Sequence, residues 1–196
     1  AELASTPPEF RLQSLNISHN KLSQFKIPQM EMLCTALGNH PQLTALDLSN
    51  ASIARLDPTQ LSHLMHSLTN LQHLILSHNN RHNDPMFLQR IYPYLARFLN
   101  LKSLDLSTNN LNLSNEAISS ILVSLLLELP SLLHLNLTNN DWRFSPPILY
   151  PALAEIIYRH QANQTSNLSP RLTTSDRRTL LARVSPHTPI TTALSD

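Results

Sequence analysis

The chain has 196 residues, enough for one domain with a substantial apolar core, and its 14 Lys and Arg nearly balance its 13 Asp and Glu. This balance excludes the strong net field through which a protein attracts nucleic acid or an anionic membrane surface. The single cysteine excludes an internal disulfide and favours a reducing compartment, and no apolar run approaches the roughly 18 residues that a membrane span needs.

In chain order, a short polar extension over residues 1–9 precedes a repeat that fills about residues 10–160. Each copy begins with the pattern L-x-x-L-x-L, in which Ile17 replaces the last leucine of the first copy. The period is 28 to 31 residues, which predicts a solenoid. The five copies start at Leu12, Leu43, Leu71, Leu101 and Leu132.

Each copy predicts a strand followed by a helix. The leucines at the fourth and sixth positions alternate with polar or small residues, as in a half-buried strand. Because a helix follows each strand, the crossover is long and successive strands are expected to pair in parallel. The helices are predicted over residues 28–38, 58–68, 85–99, 114–129 and 147–160, and several begin with Pro, which suits a first helical turn.

Asparagine fills the ninth position of four copies, where the chain turns inward. A buried amide there can satisfy backbone groups that would otherwise be unpaired, so we interpret these residues as structural. Repeat two carries Ala51 at this position and Asn50 one residue earlier, and we expect its turn to be weaker or to bond to water. The four structural asparagines are Asn20, Asn79, Asn109 and Asn140.

The motif L-x-x-L-x-L-x-x-N in five in-register copies resembles the leucine-rich-repeat family, and the repeat length resembles its ribonuclease-inhibitor-like subclass. The resemblance implies an α/β fold: a right-handed solenoid of about five repeats, with a curved parallel sheet on the concave side and helices on the convex side. It also implies a module that binds a partner protein. From the residues themselves we expect no enzymatic activity, cofactor, nucleic acid or membrane in that role. The oligomeric state stays open.

Two versions of this function are considered. The many Asn and His residues and the single Gly are similar to the composition of secreted effectors of intracellular bacteria, which act on host proteins. That similarity implies a host cytosol, or otherwise the cytoplasm, as the location. The alternative is a structural or regulatory repeat segment of a larger multidomain protein.

Residues 161–196 end the chain with a polar segment rich in Gln, Asn, Ser, Thr and Pro. We interpret it as a polar tail or as a cap folded over the last repeat. A short helix is predicted near residues 175–184, since Ser175 can cap it and Leu180, Leu181 and Val184 would form an apolar edge.

Side chains beside the strand leucines are expected to line the concave side, in rows at the third, fifth, seventh and eighth positions of the motif. The seventh row is almost uniformly Ser, which we interpret as a solvated surface. The members that break the other rows with an apolar group, an imidazole or a carboxylate are better candidates for contacts with a partner. These candidates are Asp47, His73, Ile75, His78, Asp105 and His134, and Asn136 of the fifth row is a further candidate.

Catalytic and metal-binding chemistry is not expected. Asp47 and Asp105 flank Ile75 at two strand spacings, roughly 9.6 Å, on an open face that would not push their pKa values apart. The pairs His63 and His66, and His78 and His82, have metal-ligand spacing, but no Cys or carboxylate completes a tetrahedral set.

Charging of several histidines near about pH 5 to 6 makes pH-dependent binding a hypothesis. Cys34, in the first predicted helix, is interpreted as a buried structural thiol.

Overall fold

The computed structural model describes residues 12–68, Asn70–Asp141 and Ala154. Within them, strands and helices alternate through the first four repeats, and a fifth strand follows. The strands are β1 (Ser14–Asn16), β2 (Ala45–Asp47), β3 (His73–Ile75), β4 (Ser103–Asp105) and β5 (His134–Asn136). The helices are α1 (Ile27–Gly38), α2 (Pro58–His66), α3 (Phe87–Leu95) and α4 (Glu116–Glu128). Short 3-10 turns at Leu22–Gln24 and Ile53–Arg55 lie between strand and helix in the first two repeats.

The five strands form one parallel sheet in the order β1-β2-β3-β4-β5. Equivalent positions of the motif are neighbours throughout, so that Leu46 pairs with Leu74 and Leu74 pairs with Leu104. The predicted five-repeat α/β solenoid with parallel pairing is confirmed. The register has a simple cause, since a slip of one residue would turn every leucine of a strand away from the helices.

The leucines form one continuous core between the sheet and the helices. In the described chain, strand leucines such as Leu46, Leu74 and Leu104 join residues from all four helices in a single buried cluster. No repeat could bury this apolar surface by itself, and stacking the repeats removes it from water. At the first strand, Leu15 and Ile17 are only partly buried.

The helix starts follow local capping chemistry. Asp57 accepts a hydrogen bond from the Gln60 amide while the Gln60 side chain accepts from the Asp57 amide, and Pro58 opens α2. Asn115 caps α4 by accepting from the amides of Ala117 and Ile118.

The prediction for the third helix is wrong at both ends. Pro85 lies in a turn before the helix, because the Asn80 side chain bonds to both the amide and the carbonyl of Asp84 and holds that segment out of the helix. Helix α3 therefore begins at Phe87. It ends at Leu95, soon after an internal proline, Pro93, which offers no amide proton to the preceding turn.

Three predictions lie wholly or almost wholly outside the described residues. They are the extension over residues 1–9, the helix over residues 147–160, of which only Ala154 is described, as helical, and the tail over residues 161–196 with its short helix near residues 175–184. They stay predictions.

A ladder of asparagine side chains joins the turns of successive repeats. The Oδ1 atom of Asn109 accepts from the amides of Asn79 and Asn80 at 2.7 and 3.0 Å. Its Nδ2 atom donates to the carbonyls of Leu76 and Leu106. Asn79 and Asn140 make the same four kinds of bond, so each asparagine satisfies backbone groups of the repeat before it as well as its own.

Because each asparagine bonds to the repeat before it, the prediction of a weak turn in repeat two is wrong. The turn at Ala51 is not weak, because Asn79 of the next repeat accepts the amides of Ala51 and Ile53 at 2.9 and 3.1 Å. The absence of an asparagine at Ala51 affects repeat one instead, because no side chain at that position can accept the amides of the turn in repeat one. There the Leu22 amide donates to the carbonyl of Ala51, and the exposed Asn20 donates only to carbonyls of its own repeat.

Replacing Asn109 by Ala should destabilise the protein by about 3 kcal/mol, because two buried amides and two carbonyls lose a partner. The matched Asn20→Ala change, at an exposed ladder position with no preceding described repeat, should cost less than about 1 kcal/mol. Urea unfolding of both variants measures the difference. Equal losses would show that the ladder does not stabilise the stack.

Each turn after a strand also contains a residue with positive φ at the eighth motif position. Thr108, with φ 54°, is the least suited of these, since a β-branched side chain is strained in the left-handed region. Thr108→Asn should therefore raise the free energy of unfolding by about 1 kcal/mol. Thr44→Asn, at a position without positive φ, is the control for thermal unfolding. A loss of stability on changing Thr108 would contradict this explanation.

Candidate functional site

The face of the sheet opposite the helices presents two parallel rows of side chains, which we call the concave face. The register places equivalent residues of neighbouring strands side by side. Because strand residues alternate between faces, these rows flank the buried leucines. The third-position row is Ser14, Ala45, His73, Ser103 and His134, and the fifth-position row is Asn16, Asp47, Ile75, Asp105 and Asn136.

Polar members of the fifth row are fixed by their own backbone. Asp47 and Asp105 each accept a hydrogen bond at 2.8 Å from the amide two residues later in the chain. Asn16 and Asn136 do the same at 2.8 and 3.1 Å. These local turns hold the four side chains in one orientation at the carboxyl ends of their strands.

The same four side chains also pair across strands. Asn16 donates to Asp47 Oδ2 at 3.1 Å, and Asn136 donates to Asp105 Oδ2 at 2.9 Å. Two amide–carboxylate pairs therefore lie on either side of Ile75, which interrupts the row. Sequence reasoning found these residues but not their pairing, which depends on the register.

Ile75 is an exposed apolar side chain at the centre of a polar row. It is 37% exposed, and Asp47 and Asp105 are its direct neighbours on β2 and β4. The two carboxylates are thus separated by a whole strand and are bonded to asparagines rather than to each other. This arrangement offers no interacting pair of carboxylates of the kind that acid–base catalysis uses.

The candidate histidines do not lie in one group. His73 is exposed on β3, and His134 is partly buried on β5, two strands away. His78 is exposed in the turn after β3, where its φ is 59°. Of the seven candidate residues, His73 and Ile75 share a strand, and the register brings only Asp47 and Asp105 directly beside Ile75.

Another histidine outside the concave face is used structurally. The ring of His66 bonds through Nδ1 to the carbonyl of Ser62 and through Nε2 to the guanidinium of Arg97. Both ring nitrogens are occupied, so the metal-ligand spacing of His63 and His66 does not correspond to two available ligands. In the described part of the chain, no group of three His, Cys, Asp or Glu residues could hold a metal ion.

The interpretation of the seventh row as a solvated surface is wrong at its centre. Ser77 and Ser107 are buried, and their carbonyls accept the amides of Asn50 and His78 from the preceding repeats. A small side chain suits this position because the turns stack closely there.

The residues of the eighth row have positive φ in all five repeats, where glycine would ordinarily be favoured. They are His19, Asn50, His78, Thr108 and Asn139.

Sequence reasoning also missed side chains that join neighbouring repeats on the helical side. The Arg90 guanidinium donates to the carbonyls of Ala54 and Leu56 in the preceding repeat and forms an ion pair with Asp84 at 3.2 Å. Gln60 reaches the carbonyl of Phe25 in the same direction at 2.6 Å. No motif signals these bonds, since a helical Arg or Gln is ordinarily solvated.

Two small hollows of about 160 and about 200 Å³ lie away from the concave face. Both are lined in part by His66 and Leu68, near the end of α2. Neither is lined by any candidate residue of the concave rows.

Cys34 is half-buried in α1 and packs against the core. Burial raises the pKa of its thiol, and the charge of Glu31 acts in the same direction, while a hydrogen bond with Ser67 opposes them. A raised pKa keeps the sulfur protonated and disfavours a nucleophilic role.

Comparison with known proteins supports the repeat. A family model described as Leucine Rich Repeat matches residues 11–33. No curated protein sequence matches the chain significantly. In the described residues, no helix has both the length and the apolar character needed to cross a membrane.

Several solved structures are similar to this chain, and one of those described here has a TM-score above 0.5. The tropomodulin C-terminal domain of Caenorhabditis elegans superimposes with a TM-score of 0.53 at 12% identity, over 80% of this chain and 88% of that one. The leucine-rich repeat-containing protein LegL7 of Legionella pneumophila gives 0.43 at 20% identity, over 77% of this chain and 54% of LegL7. The chain of the TLR13-ssRNA13 complex gives 0.43 at 20% identity, over 73% and 21%.

The thiol of Cys34 should react with iodoacetamide only at higher pH than in the unfolded chain. Its folded-state pKa is raised, so the stabilisation from keeping the thiol neutral is present below the ordinary value of 9.0 and is lost as pH rises above it. Alkylation rates against pH, with and without urea, test this, and Cys34 is the only thiol present. A lower midpoint in the folded protein would instead indicate an activated nucleophile.

Proposed function

We propose that this chain, which has a leucine-rich-repeat fold, is a protein-interaction module that binds a partner protein through the concave face of its sheet. The observation that carries the proposal is Ile75, an exposed aliphatic side chain surrounded in register by polar groups that are already fixed. Interfaces commonly have this form, with an apolar centre inside a polar rim.

The fixed orientation of the fifth row supports this proposal. Side chains that already hold one conformation lose little entropy when a partner covers them, so more of the contact energy remains as affinity. Asp47, Asp105 and Asn136 are held by both a local turn and a cross-strand bond. His73, His78 and His134 would contribute contacts around Ile75 rather than at its immediate sides.

A narrower version of the proposal is a secreted bacterial effector that acts on a protein in a host cytosol. Its support is the composition, with one Gly and ten His in 196 residues, and a lone cysteine that suits a reducing compartment. Export of the chain from a bacterium into host cells, followed with a translocation reporter, would test it. Retention of the reporter in the bacterium would exclude this version and leave the binding role intact.

One observation favours the alternative role as a structural or regulatory segment of a larger protein. Leu12, Leu15 and Ile17 of the first repeat are partly buried, whereas the equivalent leucines of repeat two are at most 4% exposed. An apolar edge of this kind is a surface against which a neighbouring structural unit could pack.

The concave-face proposal predicts a specific loss of binding. Ile75→Ser should weaken capture of the partner about tenfold or more, since burying an Ile side chain is worth about 1.5–3 kcal/mol. Met32→Ser is the matched control, because Met32 is 73% exposed on α1. Affinity capture from soluble extract, quantified by mass spectrometry, compares the two variants with the wild type. Equal recovery of the same partners by all three would exclude the concave face as the site.

A further inference from the structure

The charges beside Ile75 restrict the chemistry of anything that covers it. We propose, on the basis of the proposed binding role of the concave face, that the partner presents an aliphatic side chain between two basic side chains, Lys or Arg. These side chains would lie on an extended segment that crosses the strands. The aliphatic group would lie on Ile75, and the two cations would pair with Asp47 and Asp105.

Covering Ile75 also desolvates the carboxylates beside it. Asp47 and Asp105 lie on either side of Ile75, each one strand spacing away, or roughly 4.8 Å. A partner that covers Ile75 closely must therefore remove water from both carboxylates. A buried charge without a countercharge is strongly unfavourable, so a purely apolar or an acidic partner would lose more than the contact with Ile75 provides.

The described residues do not supply the countercharges themselves. In the described chain, the one ion pair joins Arg90 and Asp84, on the helical side of the repeat. Asp47 and Asp105 carry the formal charges in the third-position and fifth-position rows when His is counted as neutral. The described basic residues all lie outside those rows: Lys21, Lys26, Arg55, Arg81, Arg90, Arg97 and Lys102.

Each carboxylate also retains capacity to accept further hydrogen bonds. An ionised carboxylate has about four lone-pair sites. Asp47 uses one on the Ser49 amide and one on Asn16, and Asp105 uses one on the Ser107 amide and one on Asn136. These bonds fix the two carboxylates without neutralising them, leaving acceptor sites for a guanidinium or ammonium group.

The spacing fits alternate residues of an extended segment. The carboxylates are two strand spacings apart, roughly 9.6 Å, with Ile75 midway. In a basic-x-aliphatic-x-basic segment, the two basic Cα atoms are about 13 Å apart on one side of the chain. Long Lys or Arg side chains can lean inward over the remaining distance while the central side chain contacts Ile75.

The test uses a synthetic peptide, acetyl-Gly-Arg-Ser-Leu-Ser-Arg-Gly-amide, titrated into the ¹⁵N-labelled full chain and followed by NMR. We expect saturable shifts at the amides of β2, β3 and β4. The double variant Asp47→Asn with Asp105→Asn should weaken binding about tenfold or more. Glu31→Gln with Glu116→Gln removes the same charge from helices α1 and α4, and it should leave the affinity unchanged.

Two further arms use the wild type and do not depend on how a variant folds. Raising the salt concentration from about 50 mM to about 500 mM should weaken binding of the Arg peptide, since ion pairs at a surface are screened. A peptide with Glu in place of both Arg should cause no saturable shift. Binding of both peptides with similar affinity, no saturable shift with the Arg peptide, or equal affinity in the two double variants would overturn the proposal.

Failure of this inference and failure of the binding role are distinguishable. If Ile75→Ser reduces capture of a partner while the Arg peptide does not bind, the concave face is an interaction surface with a partner of other chemistry. If the peptide binds as described while Ile75→Ser captures the same partners as wild type, the carboxylates of the fifth-position row select basic segments but do not provide the main interface.

Discussion

The fold depends on hydrogen bonds that each repeat makes to the repeat before it. Asparagine at the ninth motif position closes its own turn and accepts amides of the preceding turn, as Asn79 does for Ala51 and Asn109 does for Asn79. Arg90 and Gln60 bond backwards in the same way on the helical side. The buried backbone of a repeat is thus satisfied only when the next repeat is in place, and this couples the stack into one structure.

This coupling explains why the concave face can be rigid although its strands are short. Three residues are too few to hold a strand independently, but the leucine below and the ladder at the turn fix the position of each one. The side chains between the leucines therefore lie beside the equivalent side chains of the neighbouring strands. Asn16, Asp47, Asp105 and Asn136 add their own bonds to this frame, and Ile75 lies exposed at its centre. These are the properties that the proposed binding role requires of the surface.

The sequence predicts the architecture because the leucine period reports directly on burial. Strand positions, parallel pairing and the extent of α1 follow from it, and the register follows once equivalent leucines are required to stack. The errors arise where the decisive partner lies in another repeat or in local backbone geometry. Ala51 predicts a weak turn only if the asparagine that accepts the turn's amides must come from the same repeat, whereas it comes from the next one. Pro85 predicts a helix start because the sequence does not reveal that the Asn80 side chain holds the segment at Asp84 in a turn. The positive φ of His19, His78 and Thr108 has no sequence signal comparable to glycine.

Amide hydrogen exchange tests the central claim most directly, because it reports how the ladder amides open. We expect the amides of Ala51, Asn79 and Asn109 to exchange only through a common opening, with free energies that agree within about 0.5 kcal/mol of one another and of global unfolding. Exchange of these three amides at separate, much lower free energies would show that the repeats open independently. The asparagine ladder would then not be what holds the concave face in register.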